Sequence, residues 1–151
     1  SHPSALIGDC SADRPSNLVP IITEVAIGKR KKITVFGDDY NTPDGTCIRD
    51  YIHVVDLAKS HVKAMDFLIK NPGKHAFNVG TGIGVSVLDA IKAFEKTNNL
   101  SINYSIGPRR DGDIEQIYAN GSLVQVKLGW DAKESLEKAM KSAWDWEKGK
   151  A

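Results

Sequence analysis

Residues 42–58 read TPDGTCIRDYIHVVDLA, and the order of residue types in this stretch decides the architecture. Thr42-Pro43-Asp44-Gly45 closes a turn-rich loop, because proline presets φ and Asp and Gly accept tight-turn geometry. CIRDYIHV, at 47–54, then reads as a short apolar strand. Asp56 opens a helix with Val55, Ala58, Val62, Met65 and Leu68 on one face, and Asn71-Pro72-Gly73 stops it. Turn, strand and helix in immediate succession are the working unit of an α/β protein.

The same alternation extends outward in both directions. Residues 1–16, SHPSALIGDCSADRPS, have no period and read as an irregular loop. Ser16 and Asn17 offer an N-cap, Pro20 sits in a first turn, and Val19, Ile22, Val25 and Ala26 form a stripe that Gly28 ends. KITVFG at 32–37 is a short strand, followed by the loop GDDYNTPDGT. Downstream, HAFNVGTG at 75–82 reads as a strand running into a glycine turn. Ser86 caps a helix carrying Val87, Ala90, Ile91 and Phe94 on one side. SINYSI at 101–106 is a strand, GPRRDGD a charged loop, and Ile114–Ala119 an extended piece. Two helices finish the chain, Ser122–Leu128 and Glu134 to about Lys148. The fold class is α/β, with no internal repeat or interior linker.

Bulk chemistry removes several function classes. The 151 residues are 41% hydrophobic and 26% charged, enough to build a core and too apolar for a disordered tail. Twenty basic residues against 19 acidic ones give +1, without the basic excess of a dedicated nucleic-acid binder. Cys10 and Cys47 have no metal-ligand spacing and are too few for a disulfide framework, which fits a reduced, cytoplasmic setting. No apolar run approaches the roughly 18 residues of a membrane span.

Candidate chemistry narrows to arginines. Gly80-Thr81-Gly82-Ile83-Gly84 lies between strand and helix, but the G-x-G-x-x-G fingerprint ends here on Val85, so a tight turn fits better than a dinucleotide cradle. Lys29–Lys32 reads as a solvated turn after a helix. His2, His53, His61 and His75 form no metal-binding pair, and no serine or cysteine sits in a nucleophile motif. Arg49 lies inside an apolar strand, and Arg109-Arg110-Asp111-Gly112-Asp113 occupies a loop. Guanidinium grips phosphate as a planar fork, so two such sites could clamp a diphosphate. An Arg–Asp pair and a surface charge run would use the same residues, and residue types alone do not choose.

At these residues the chain resembles the UDP-glucose 4-epimerase family of the extended short-chain dehydrogenase/reductase superfamily. The strings that carry the resemblance are HPS at 2–4, NLVP at 17–20, VFGDDY at 35–40, TPDGTCIRDYIHVVDLA at 42–58, FNVGTGIGVSVLD at 77–89 and PRRDGD at 108–113. LGW at 128–130 and a tryptophan-bearing last helix also fit. Relatives of the same architecture are nucleotide-sugar dehydratases, uronate decarboxylases and uronate epimerases. A non-catalytic nucleotide-binding module is the reading from a different class.

The resemblance implies that residues 1–151 are the UDP-sugar-binding C-terminal region, without the NAD-binding Rossmann domain. The family's Tyr-x-x-x-Lys pair is missing, since Tyr40, Tyr51, Tyr104 and Tyr118 are followed four residues on by Asp44, Val55, Pro108 and Ser122. No catalytic residue is therefore expected in this chain, which is expected to begin mid-protein, to hold no NAD by itself and to be inactive alone. The intact enzyme would interconvert UDP-glucose and UDP-galactose by oxidation and re-reduction at C4, with NAD as hydride carrier. Binding energy far from C4 would position the sugar.

By the same resemblance, Asn17 and Leu18 lie along the diphosphate and uridine. Thr34, Val35 and Phe36 form a backbone strip and aromatic wall beside the uracil. Arg49 and Arg110 reach the diphosphate, and Asp113 holds the ribose hydroxyls. Ile117 takes the position facing the hexose, where a residue smaller than tyrosine implies room for UDP-N-acetylhexosamines. The family's homodimer contact lies largely in the missing half.

Overall fold

A computed structural model describes residues 1–10 and 15–150. The chain runs α1 (Leu18–Ala26), β1 (Ile33–Phe36), β2 (Ile48–Arg49), α2 (Val54–Lys70), β3 (Val85–Ser86), α3 (Val87–Asn98), β4 (Tyr104–Gly107), α4 (Ser122–Leu128) and α5 (Leu136–Gly149). β1 pairs in parallel with β4, Ile33 opposite Tyr104 and Phe36 opposite Gly107. β2 pairs antiparallel with β3, Ile48 opposite Ser86. Helices and strands alternate as expected, with a small parallel sheet at the centre.

The main core forms where α1, α3 and α5 close over β1. Strand alternation sends Ile33 and Val35 inward, and they meet Ile22, Ala90, Ile91, Phe94, Ile102 and Met140. The stripe read on α3 is the buried one: Ala90, Ile91 and Phe94 are almost wholly enclosed. Its start is capped as predicted, the Ser86 hydroxyl accepting from Asp89 N–H at 3.0 Å. A second cluster of Val124, Leu128 and Trp130 gathers Phe67, Phe77 and Val79 around α4.

Several expectations need correction. The irregular reading of the N-terminal loop holds for residues 1–10, while 11–14 lie outside the described residues. The strand read across CIRDYIHV shrinks to Ile48–Arg49, and α2 starts two residues before Asp56. His53, an uncommon N-cap, causes both: its ring Nδ1 accepts the Val55 N–H at 3.1 Å and turns the chain into the helix. HAFNVGTG forms no strand, because no other strand among the described residues lies beside it. It packs Phe77 and Val79 on the α4 cluster. SINYSI becomes a strand only from Tyr104.

The face assigned to α2 is also reversed. Val62, Met65 and Leu68 are exposed, whereas Asp56 and Ser60 are buried and Ala64 and Phe67 pack on the α4 cluster. Periodicity found the more apolar stripe, but the stripe that packs is anchored by the Asp56 carboxylate. Its Oδ2 accepts the Lys133 and Glu134 N–H groups, each at 2.7 Å.

Candidate functional site

β1 has one edge on β4 and one edge free of strands among the described residues. Ile33 and Gly37 donate their N–H groups to Asn103 and Gly107 of the β4 side, at 2.8 and 2.9 Å. In a parallel pair the amides of alternate residues point to opposite edges, so those of Thr34 and Phe36 face away from β4. Beside this free edge opens a cavity of about 670 Å³.

The cavity gathers eight of the nine residues singled out from the sequence. Asn17 and Leu18 come from the start of α1, Thr34, Val35 and Phe36 from β1, Arg49 from β2, and Arg110 and Asp113 from the loop after β4. Asn17 is the N-cap of α1, although its side chain makes no capping hydrogen bond. Phe36 is 41% exposed and offers a ring, while Val35 turns its side chain into the core and leaves only backbone. Ile117 is not among the lining residues. It is half-exposed, with its N–H donated to the Ile48 carbonyl at 3.1 Å.

The two arginines meet at one carboxylate. Arg110 Nη2 donates to Asp113 Oδ1 at 2.7 Å, and Arg49 Nη2 lies 3.8 Å from the same oxygen. Arg49 is also braced by backbone, donating from Nη1 to the carbonyls of Ile48 at 2.8 Å and Ile114 at 2.6 Å. The Arg110 guanidinium stands 5.4 Å from the centroid of the Phe36 ring. Its bond to Asp113 raises its pKa further above the ordinary guanidinium value. Arg109 turns elsewhere, to Asp39 at 2.7 Å and over the Tyr40 ring at 4.1 Å. A paired cationic fork, an aromatic face and a free strand edge suit a flat base attached to a diphosphate.

Two neighbours of Arg49 had no role from sequence. Tyr51 lines the cavity, and burial pushes its hydroxyl up to about 12, so it stays protonated at neutral pH. Asp50 accepts from Thr81 N–H at 3.0 Å, Thr81 Oγ1 at 2.6 Å, Gly82 N–H at 3.1 Å and Ala119 N–H at 3.2 Å. Burial pushes the Asp50 carboxyl up, but these donors outweigh it and hold it below the usual carboxylate range. The signal was present, a carboxylate inside an apolar run. Its partners were not legible, lying 31 and 69 residues away.

The glycine turn at 80–84 does not fit a dinucleotide pyrophosphate. A Cβ built on Gly80 would stand 2.3 Å from Asp50 Oδ2 and 2.5 Å from Ala119 Cβ, and one on Gly84 would meet Ile48 at 2.6 Å. The turn is filled by the protein's own atoms, and its N–H donors already serve a carboxylate. Among the described residues no cluster of His, Cys, Asp or Glu could hold a metal ion, and no helix is long and apolar enough to cross a membrane.

This α/β frame with an arginine-flanked cavity belongs to a recognisable class. Residues 11–143 match the family model described as GDP-mannose 4,6 dehydratase, and the chain belongs to that family of extended short-chain dehydrogenase/reductases. Its relatives include UDP-glucose 4-epimerase of Haemophilus influenzae, 51% identical over 98% of this chain and 44% of that protein. The human UDP-glucose 4-epimerase is 46% identical over 98% of this chain and 42% of its own length. The chain thus spans under half the length of these relatives.

Solved structures agree. UDP-glucose 4-epimerase from Stenotrophomonas maltophila, with bound NAD and formylated UDP-arabinopyranose, superposes with a TM-score of 0.97 at 46% identity, over 99% of this chain and 45% of that one. The Bifidobacterium longum enzyme, in complex with NAD+ and UDP, superposes at 0.89 with 45% identity, over 98% of this chain and 44% of that one.

Proposed function

We propose that this chain is the UDP-sugar-binding C-terminal region of an NAD-dependent UDP-glucose 4-epimerase. The observation that carries this reading is the convergence of Arg49 and Arg110 on Asp113 beside Phe36 and the free edge of β1. The uracil lies against Phe36 and the Thr34 and Phe36 amides, with Asn17 and Leu18 along the nucleotide. The arginines take the diphosphate, and Asp113 accepts from the ribose hydroxyls. Holding the nucleotide firmly leaves the hexose free to present either face of C4, which epimerisation requires.

On this reading NAD and the catalytic groups belong to sequence outside these residues. The intact protein then interconverts UDP-glucose and UDP-galactose as a homodimer whose contact lies largely outside this chain. Free thiols at Cys10 and Cys47 suit a cytoplasmic enzyme. Ile117, which lies outside the wall of the nucleotide cavity, takes the position facing the hexose by the family resemblance and admits UDP-N-acetylhexosamines. The nucleotide assignment is tested by calorimetric titration of the protein with UDP, GDP and UMP. UDP is expected to bind best and UMP markedly worse, since it lacks the second phosphate. Preference for GDP, or no binding of UDP, would overturn it.

A further inference from the structure

We propose that Asp50 is the positioning residue of the diphosphate site, acting through Arg49, an inference that rests on the UDP reading above. Asp50 lines the cavity, yet both of its carboxylate oxygens accept from protein donors. Oδ1 takes the Thr81 N–H and hydroxyl, and Oδ2 takes the Gly82 and Ala119 N–H groups. It thereby ties two separate segments, the glycine turn and the piece before α4, to the end of β2, the strand bearing Arg49.

The tie matters because Arg49 is oriented by that same extended piece. Ile48 N–H donates to the Glu115 carbonyl at 2.9 Å, Ile117 N–H donates to the Ile48 carbonyl at 3.1 Å, and Arg49 itself holds the Ile114 carbonyl. Asp50 pins the far end of the segment at Ala119, while Arg49 and Asp113 meet at its near end. A segment paired at so few points slips readily, and a one-residue slip moves every side chain to the other face. Gly80 is shaped for this junction, since any Cβ there would collide with the Asp50 carboxylate. Asparagine at 50 would present an NH₂ to groups that are themselves donors, leaving at least one N–H unsatisfied.

The test is a double-mutant cycle on UDP affinity, measured by calorimetry well below the melting temperature of each variant. Asp50→Asn is expected to weaken UDP binding about tenfold in the unmodified background and less than about twofold with Arg49→Ala present. A purely structural Asp50 would lower the melting temperature and weaken binding equally in both backgrounds, which overturns the inference. Unchanged affinity in Asp50→Asn does the same. Thr81→Val, which removes one hydroxyl donor while conserving shape, covers the case in which Asp50→Asn does not fold. About threefold weaker binding is expected, and an unchanged affinity overturns the inference. If the unmodified protein binds no UDP, the nucleotide reading itself falls and the inference with it.

Discussion

Arg110 and Asp113, three residues apart in one loop, close on each other at 2.7 Å, so the carboxylate already occupies part of the cationic fork. Arg49 approaches the same oxygen at 3.8 Å. On the proposed reading, an incoming diphosphate would compete with Asp113 for guanidinium, while a ribose diol would give Asp113 new donors. The two halves of a nucleoside diphosphate would then act on opposite sides of one ion pair.

Asp113→Ala separates those halves. Inorganic pyrophosphate should bind more tightly than to the unmodified protein, because two guanidinium groups lose their internal anion. UDP should gain less, or bind more weakly, because the diol loses its acceptor. Parallel titrations with the two ligands measure this, and equal shifts for both would remove Asp113 from the ribose.

Arg110→Ala should weaken UDP binding about tenfold, with Arg110→Lys recovering only part, since an ammonium lacks the planar fork. Arg110 is exposed, so its loss should leave the urea midpoint nearly unchanged. Arg49→Ala should weaken binding comparably and also lower the midpoint, because the Ile48 and Ile114 carbonyls lose their donor. Titration and urea melts on the same preparations check both statements.

Phe94→Ala should destabilise the fold by about 3–5 kcal/mol, the cost of a large cavity in a packed core. Phe94 is fully buried in the main core and meets Trp144 of α5 edge-on, ring centroids 6.0 Å apart. Chemical denaturation measures it, and a loss under about 1 kcal/mol would contradict the packing.

His53 makes stability pH-dependent. Burial lowers its pKa below the ordinary 6.5; its Nδ1 accepts the Val55 N–H and its Nε2 lies 3.2 Å from the Ser142 hydroxyl. The unfolded chain then binds the proton first, so this contribution is complete above about pH 6.5 and is lost as pH falls toward the lower folded value. Urea melts at pH 7.5 and 5.5 should show the loss, and His53→Gln should reduce the difference between them.

Ile117→Tyr tests the sugar position in the full-length enzyme. If Ile117 faces the hexose, turnover of UDP-N-acetylgalactosamine should fall at least tenfold relative to UDP-galactose, because a phenol ring would fill the space beside the sugar's 2-substituent. Equal ratios before and after the change would show that Ile117 is not the gate.

What the sequence determined by itself was much of what is decided within a few residues, though not the His53 cap that starts α2. Ser86 as cap, Gly28 as stop, the Ile33/Val35 alternation and the apolar side of α3 follow from hydrogen bonds and periodicities that act locally. The arginines of the candidate site stood out as charges in an apolar strand and a loop, but residue types did not choose between a clamp and an ion pair, and the other site residues came from the family resemblance. Only the tertiary structure could show that Arg49 and Arg110 share Asp113, that Arg109 turns away to Tyr40, and that Asp50 joins segments 31 and 69 residues distant. It also decided which stripe of α2 is buried and why 76–79 forms no strand. A strand needs a partner, and a helix with two candidate faces takes the one its neighbours cover, and both depend on residues far along the chain.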